Sequence, residues 1–517
     1  MGGYESEERF AESASVRPFS VAESWASGDR RRDDRRSGVA LTASFDVSRD
    51  VRSGNAYNLF PKSIGELVKE IGVREFRVTL TKGRWEYEWG SQGHGNAPGG
   101  AFTAAWLDDP SKWSTLNRAL SGILCASLGQ LKETTALRPR ETFRQIDGAQ
   151  QPMIGFLPRE TVCTENLTPW LKLLPCRSQS GLAAAFFSPP KVFSSQYHSL
   201  SVHYRQREKE NVQELRLEAT MVFTGENVKF VGDLMAESAP AVCPLASASL
   251  VRIGERSRHD MLKEEWSQLA DISLTDEDYP GPPAIRIERA ATGTGQRHGG
   301  TVATLYAHAS PSCKHPVKVH YLEVFPAFVR VYASSVRVNV NGERVNDLNL
   351  LQMLTYTPRG GEGGNNPAAA EITFDIPCGG NATISTQFEN EFLHISSFPP
   401  DANRGLDIPP AMVAYAASAG SFSPAAFTFS DGLLIDTPLP DFSMPYNVVT
   451  LTCTVVAFFF GSLFNLLVRR RSKKPKAIAK TLMIPTSNEE EVKQNHSAAT
   501  KLMRRLFFAK KKICKIT

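Results

Sequence analysis

The chain has 517 residues, 41% of them hydrophobic and 22% charged, with a formal net charge of +5 at pH 7. That length and apolar content are ample for two packed domains and exclude a disulfide-built miniprotein. The charge is uneven: residues 469–517 hold 15 Lys and Arg against 3 Glu, a net of +12, which leaves residues 1–468 at about −7. The basic pI therefore belongs to the tail, and no basic patch interleaved with aromatics marks the first 440 residues as a nucleic-acid binder.

Residues 1–38 are polar, with charges of both signs and no apolar h-region, and read as a disordered leader. Met1-Gly-Gly-Tyr-Glu-Ser6 fits the loose myristoylation pattern, which would place the chain in the cytosol, against the membrane-flanking charges described below. Leu41 to Val47 reads as a strand, and Ser63 is placed to cap a short helix with Ile64, Leu67, Val68 and Ile71 on one face. Phe76, Val78 and Leu80 alternate with Arg77 and Thr79. After a Gly-rich stretch from Gly90 to Gly100, Trp113, Leu116, Leu120, Ile123 and Leu124 recur at helical spacing. Helical patterns are confined to about the first 130 residues.

Strand signals dominate from there on. Leu215, Leu217, Ala219, Met221 and Phe223 alternate strictly, as do Val317, Val319 and Tyr321, then Val329 and Val331. Val336 to Val340 runs into Asn341-Gly342, a strong hairpin-turn signal. Ile372–Ile376 and Ile384–Phe388 read as an adjacent pair, and Pro358 to Ala370, rich in Gly and Asn, as a mobile loop. The expected fold class is α+β to mainly β. An α+β half spans residues 39–250 and a sandwich-like β-rich half spans 251–440.

Asn447 to Val468 is free of charged residues, and at about 1.5 Å rise per residue it spans roughly the 30 Å of a hydrocarbon core. A transmembrane helix is therefore expected at 446–468. Arg469, Arg470 and Arg471 follow directly and favour a cytoplasmic C-terminal end, so residues 469–517 form a basic cytoplasmic tail and the preceding portion is lumenal or extracellular. Leu502, Met503, Leu506 and Phe507 share a helical face opposite Lys501, Arg504 and Arg505, which suits an anionic leaflet, although a solvated tail fits equally. A type I protein of this kind needs a signal peptide, which is expected to lie outside this sequence.

Six cysteines precede the span: Cys125, Cys163, Cys176, Cys243, Cys313 and Cys378. They fit a large secretory-pathway domain with a few bridges, and on their own allow fifteen full pairings. Of the two N-x-Ser/Thr sequons before the span, Asn381 is the better glycan candidate, because Pro169 follows the Asn166-Leu-Thr acceptor. Signals for chemistry are weak. His198 and His203 are five apart, as are His315 and His320, which on a strand puts each pair on opposite faces, so no metal site is expected. Gly293-Thr-Gly295 lacks the third glycine of a dinucleotide loop, and no P-loop or nucleophile elbow is present. On its own residues the chain reads as a non-enzyme with no cofactor.

The densest unusual stretch is Val162-Cys-Thr-Glu-Asn-Leu-Thr-Pro-Trp170, continuing Leu-Lys-Leu-Leu-Pro-Cys-Arg177. With Leu59-Phe-Pro-Lys62, Leu120-Ser-Gly-Ile-Leu-Cys-Ala-Ser-Leu128, Tyr197-His-Ser199, Cys243-Pro-Leu-Ala-Ser247 and Asp436-Thr-Pro-Leu-Pro-Asp-Phe-Ser-Met-Pro-Tyr-Asn-Val-Val449, it resembles the PIG-T family of glycosylphosphatidylinositol (GPI) transamidase subunits. The resemblance covers about residues 40–468. It implies a single-pass type I glycoprotein of the endoplasmic reticulum membrane in a complex that joins a GPI lipid to proprotein C-termini. Catalysis there belongs to a caspase-like partner, PIG-K, which the PIG-T-like subunit holds, and the remaining partners are the other membrane subunits of the complex. The resemblance places an interchain disulfide to that partner on Cys163; the alternative is an intrachain bridge to Cys176. Cys176 with Cys243 is the internal pair this leaves, whereas Cys313 and Cys378 are additions to the family pattern, placed to pair with each other. The sequence departs from the family at Pro326-Ala327, where a Pro-Trp pair is usual. Other classes stay open: a lumenal hydrolase with Cys163 or Cys125 as nucleophile, or a cell-surface β-sandwich adhesion protein.

Overall fold

The computed structural model describes residues 8–21, 36–53, 57–89, 98–132, 135–143, 151–207, 210–225, 228–236, 240–254, 257–274, 284–293, 296–308, 315–360, 366–393, 402–415, 426–439 and 443–468. The chain divides into two compact units, residues 1–440 and 441–517.

The first unit opens with a nine-stranded sheet built on period-two alternation of apolar and polar side chains. Its strands are β1 (Arg9–Val21), β2 (Arg36–Asp50), β3 (Val73–Lys82), β4 (Gly100–Leu107), β5 (Met153–Leu157), β6 (Tyr197–Arg207), β7 (Val212–Thr224), β8 (Ala248–Ile253) and β9 (Ser257–Asp260). Their spatial order is β5-β4-β3-β6-β7-β2-β1-β8-β9, and β1 with β8 is the one parallel pair in it. In register, Leu41, Ala43, Phe45 and Val47 of β2 face Met221, Ala219, Leu217 and Leu215 of β7, all in the core.

β1 corrects the reading of a disordered leader for Arg9–Val21; residues 1–7 and 22–35 lie outside the described residues. Phe10, Ala14 and Val16 are buried, but Glu12 takes an inward position between them and Arg and Ser fill outward ones, which dilutes the apolar signal.

Into the same core pack α1 (Lys62–Ile71), α2 (Trp113–Leu124), α3 (Thr164–Lys172), α4 (Gly181–Phe186) and α5 (Pro189–Ser194). α1 buries Ile64, Leu67, Val68 and Ile71, and ends at Gly72, whose φ of 76° is the left-handed conformation that glycine adopts without strain. Ser63 does not cap it; the N-cap is Pro61, whose carbonyl accepts from the Ile64 and Gly65 N–H groups. Helices also continue past residue 130: α3 to α5 are too short, and Pro169 too disruptive, for a periodic signal.

The β-rich remainder of this unit follows α6 (Trp266–Ala270). One sheet holds β10 (Ile285–Thr292), β11 (His298–Ala307), β13 (Val329–Val331), β14 (Arg337–Val340), β15 (Glu343–Arg344) and β18 (Asn381–Asn390). The other holds β12 (Val317–Phe325), β16 (Leu354–Thr357), β17 (Ala368–Ile376), β20 (Met412–Tyr415) and β21 (Ala426–Phe429). α7 (Asp347–Met353) precedes β16, and β19 (Leu406–Ile408) pairs with β22 (Leu433–Ile435). Ile285, Leu305 and Ile384 of the first sheet share a core with Val319, Tyr321, Phe374 and Val413 of the second, so the two stack as a sandwich. Asn341 and Gly342, both at positive φ (51° and 84°), make the two-residue turn between β14 and β15.

β17 and β18 are not a hairpin. β17 pairs with β12 and β16, whereas β18 pairs with β11, β13 and β14. The turn through Gly379, at φ 70°, carries the chain from one sheet of the sandwich to the other. Phe102, Ala104 and Trp106 of β4 share a further cluster with Leu322 and Val324 of β12 and Met412 of β20, which joins the nine-stranded sheet to the sandwich.

The second unit contains α8 (Ser443–Val468), of which Tyr446–Val468 has a mean hydropathy of 2.1 and none of its most apolar window buried. It is long and apolar enough to cross a membrane. Thr450, Thr452 and Thr454 donate their hydroxyls to the carbonyls of Tyr446, Val448 and Thr450 at 2.7, 2.8 and 2.7 Å, so these three donors are satisfied within the helix itself, as an apolar surround would require.

Candidate partner-binding site around Cys163

Cys163 is the N-cap residue of α3, in extended backbone conformation (φ −133°, ψ 177°). Its side chain is exposed and its thiol free. Three residues on, Asn166 is buried and accepts both the Cys163 N–H at 2.8 Å and the Cys163 thiol at 3.1 Å on Oδ1. Its Nδ2 donates in the other direction, to the carbonyls of Leu124 at 3.1 Å and Cys125 at 2.7 Å. One amide thus satisfies donors at the start of α3 and acceptors at the end of α2. Cys125 closes α2 in the left-handed conformation, φ 51°, and carries the second exposed free thiol. A further clasp runs from the Ser127 N–H to the Glu160 carboxylate at 2.6 Å.

The far end of α3 is anchored in the core. Leu167 and Trp170 are buried, the Trp170 indole N–H donates to the Ser201 carbonyl at 2.9 Å, and its ring meets Phe45 edge-on at 6.0 Å. Cys176, beyond α3, is disulfide-bonded to Cys243, with Cα atoms 6.0 Å apart, which excludes a Cys163–Cys176 bridge. The segment after it is held by Glu12, which accepts from the Leu182 N–H at 3.2 Å and the Ser249 hydroxyl at 2.7 Å. Burial raises the Glu12 carboxyl above its usual range. Cys163 is therefore an exposed thiol on a rigid mount.

Among the described residues neither the Cys125 nor the Cys163 thiol is hydrogen-bonded to an imidazole or a carboxylate, so no nucleophile–base pair is assembled at this site. His198 is buried, with Nδ1 3.1 Å from the Ser195 hydroxyl, and burial lowers its pKa to about 4. His203 lies 3.0 Å from Glu75 and His320 2.8 Å from the Thr373 hydroxyl. No group of three or more metal-ligating side chains occurs among the described residues.

Cys378 is disulfide-bonded. Cys313, Arg469, Arg470 and Arg471 lie outside the described residues. Asn381 is exposed at the start of β18, with its backbone N–H donated to Asn341 Oδ1 at 2.8 Å. Asn166 is the opposite case: its amide nitrogen is buried and committed to two carbonyls, so this packing leaves no room for a glycan there. Sequence reasoning saw Asn166 as a sequon and missed its role as a junction. Its partners lie about 40 positions upstream, beyond any local pattern.

Most of the chain matches known proteins. Residues 3–249 and 251–492 match the family described as the Gpi16 subunit, GPI transamidase component. The GPI transamidase component PIG-T homolog of Schizosaccharomyces pombe is 30% identical over 466 residues, covering 81% of this chain and 84% of that protein. The GPI-anchor transamidase component PIGT of Homo sapiens is 30% identical over 494 residues, covering 80% and 84%. The GPI transamidase component GPI16 of Saccharomyces cerevisiae is 27% identical over 505 residues, covering 80% and 82%. The chain belongs to the Gpi16 family of GPI transamidase components.

Proposed function

We propose that this protein is a non-catalytic subunit of the GPI transamidase in the endoplasmic reticulum membrane. It is tethered through Cys163 to the caspase-like catalytic subunit PIG-K and sits beside the other membrane subunits of the complex. The observation that carries this reading is the mounting of Cys163: a free, exposed thiol fixed at a helix N-cap by a buried amide, within a motif of the family. An interchain disulfide makes later encounters intramolecular, so weak noncovalent contacts suffice to keep the pair together. Residues 1–440 are placed in the lumen, α8 in the membrane, and residues 469–517, led by Arg469, Arg470 and Arg471, in the cytoplasm. Cys313 and Cys378 are assigned as an internal pair in the lumenal portion, and Asn381 as a glycan acceptor. GPI lipid and proprotein are engaged through the complex.

The test is a non-reducing gel of the tagged, full-length protein beside Cys163→Ser. A larger species that reductant collapses, that the mutant lacks, and that contains a cysteine protease-like partner by mass spectrometry supports the tether. Wild type and mutant both running as monomers removes it.

A further inference from the structure

Asn381 does not stand alone on its sheet. Directly opposite it in register on β11 is Tyr306, and directly opposite Tyr306 on β10 is Arg286. Residues opposed in this way project from the same face with Cβ atoms about 5 Å apart. Their neighbours settle which face: Leu305 and Ala382, the next pair in register, are buried in the sandwich core, so Tyr306 and Asn381 point outward. Tyr306 is 38% exposed. Arg286 lies with its guanidinium 5.3 Å from the Tyr87 ring centroid and is ion-paired with Glu288 at 2.5 Å. All five side chains line one open cleft of about 1100 Å³, and Gly379 and Gly380 keep its rim beside Asn381 free of side chains.

We infer that the cleft is the seat of this chain's own N-linked glycan, attached at Asn381, with its first sugar packed on the Tyr306 ring. The inference rests on the lumenal placement proposed above. In the modification, Asn381 Nδ2 bonds the anomeric carbon of the sugar. The bond from that carbon to its lipid pyrophosphate donor breaks, and the amide gives up one proton. An N-linked N-acetylglucosamine presents a face of C–H bonds, which matches the electron-rich face of a tyrosine. Its hydroxyl and acetamide groups find a donor in Arg286 and an acceptor in Glu288. A single exposed tyrosine needs no explanation; a tyrosine in register with a sequon, inside a cleft with a charged floor, does. The glycan then covers apolar surface of the sandwich and becomes part of the fold.

The experiment uses the full-length protein expressed in cells that glycosylate secretory proteins, comparing wild type, Asn381→Gln, Tyr306→Ala, Tyr306→Trp and Ser273→Asn. Ser273 is exposed, and its substitution creates an Asn-Leu-Thr sequon far along the chain. Peptide N-glycosidase treatment should shift wild type by one glycan more than Asn381→Gln. Release of that glycan from the native protein should be about ten-fold slower than after denaturation, as for a group that needs local opening. Tyr306→Ala should abolish this protection, and Tyr306→Trp, which keeps an aromatic face, should retain it. A glycan released equally fast from native and denatured wild type overturns the seat, as does protection unchanged in Tyr306→Ala. If Ser273→Asn gains a glycan and Asn381 carries none, this inference fails while the lumenal placement stands. If neither site is modified, the lumenal placement fails first.

Discussion

The side-chain amide of Asn166 donates to the Cys125 carbonyl at 2.7 Å, and that bond makes one junction of two helix ends that each carry an exposed thiol. Removing it by Asn166→Ala orphans the buried Leu124 carbonyl together with the part-buried Cys125 carbonyl and Cys163 N–H, at a cost of about 2–3 kcal/mol. Asn166→Asp should be no better. It still accepts from Cys163 but sets an oxygen against two carbonyl oxygens. The readout is thermal unfolding of the purified protein, alongside the yield of the disulfide-linked species. A mild Asp variant would show that the two carbonyl contacts carry little. Thr168→Ala, which deletes the sequon, should leave gel mobility unchanged.

His198 makes stability depend on pH in a defined window. Burial lowers its folded-state pKa to about 4 from 6.5, with Lys82 contributing in the same direction. Between those values the unfolded chain binds the proton and the folded one does not. The stability is therefore complete above pH 6.5 and is lost as pH falls toward 4, by about 3 kcal/mol in all. His198→Phe keeps a ring beside Phe193, which meets His198 edge-on at 5.3 Å, and cannot charge. Its unfolding midpoint should fall less steeply than wild type between pH 6.5 and 4.5. Parallel curves for the two proteins would assign the acid sensitivity elsewhere.

Arg289 and Glu323 test the sandwich from inside. Their side chains are 0% and 1% exposed and meet at 2.7 Å, with Arg289 also donating to the Pro409 carbonyl at 2.7 Å and Tyr321 to Glu323 at 3.0 Å. Arg289→Met alone leaves a buried carboxylate facing a single hydroxyl and should cost about 3–5 kcal/mol. Arg289→Met with Glu323→Leu should recover part of that loss, because no uncompensated charge remains. Chemical denaturation of the three proteins decides it. A double variant as unstable as the single one would mean that hydrogen-bond geometry, not charge, is what the pair supplies.

Much of this architecture is legible in the amino-acid order, and the rest fails for identifiable reasons. Alternation marks β3, β7 and β12 because their inward positions are filled by Phe, Leu, Met, Val and Tyr. β1 escapes because Glu12, held by Ser249 and Leu182, sits where an apolar residue belongs. β17 and β18 look like neighbours because the chain joins them by a short turn, yet that turn crosses between sheets. At the candidate site, the thiol, the tryptophan and the two bridging cysteines stand out as residue types. What makes Cys163 rigid does not, since Asn166 reads locally as a glycan acceptor and only its distant carbonyl partners show otherwise. The same distance hides Tyr306 opposite Asn381, 75 positions apart and adjacent only through register.

Gly181 links the disulfide to the buried carboxylate. Its φ is 73°, and a Cβ built there would lie 2.6 and 2.7 Å from the Glu12 oxygens and 2.9 Å from Cys243 Cβ. Gly181→Ala should therefore cost about 1–3 kcal/mol from backbone conformation, with the contacts adding to it. Replacing both Cys176 and Cys243 by Ala should cost about 2–5 kcal/mol, since the bridge closes a loop across a sequence separation of 67. The two losses should not add. Once the bridge is gone, the Cys243 segment can move away from the new methyl group, so Gly181→Ala should cost less in the bridge-free protein than in wild type. Thermal unfolding of the four proteins in this cycle measures the coupling. Strict additivity would mean that the strain at residue 181 lies in its backbone and in Glu12, with the disulfide playing no part in holding the segment against them.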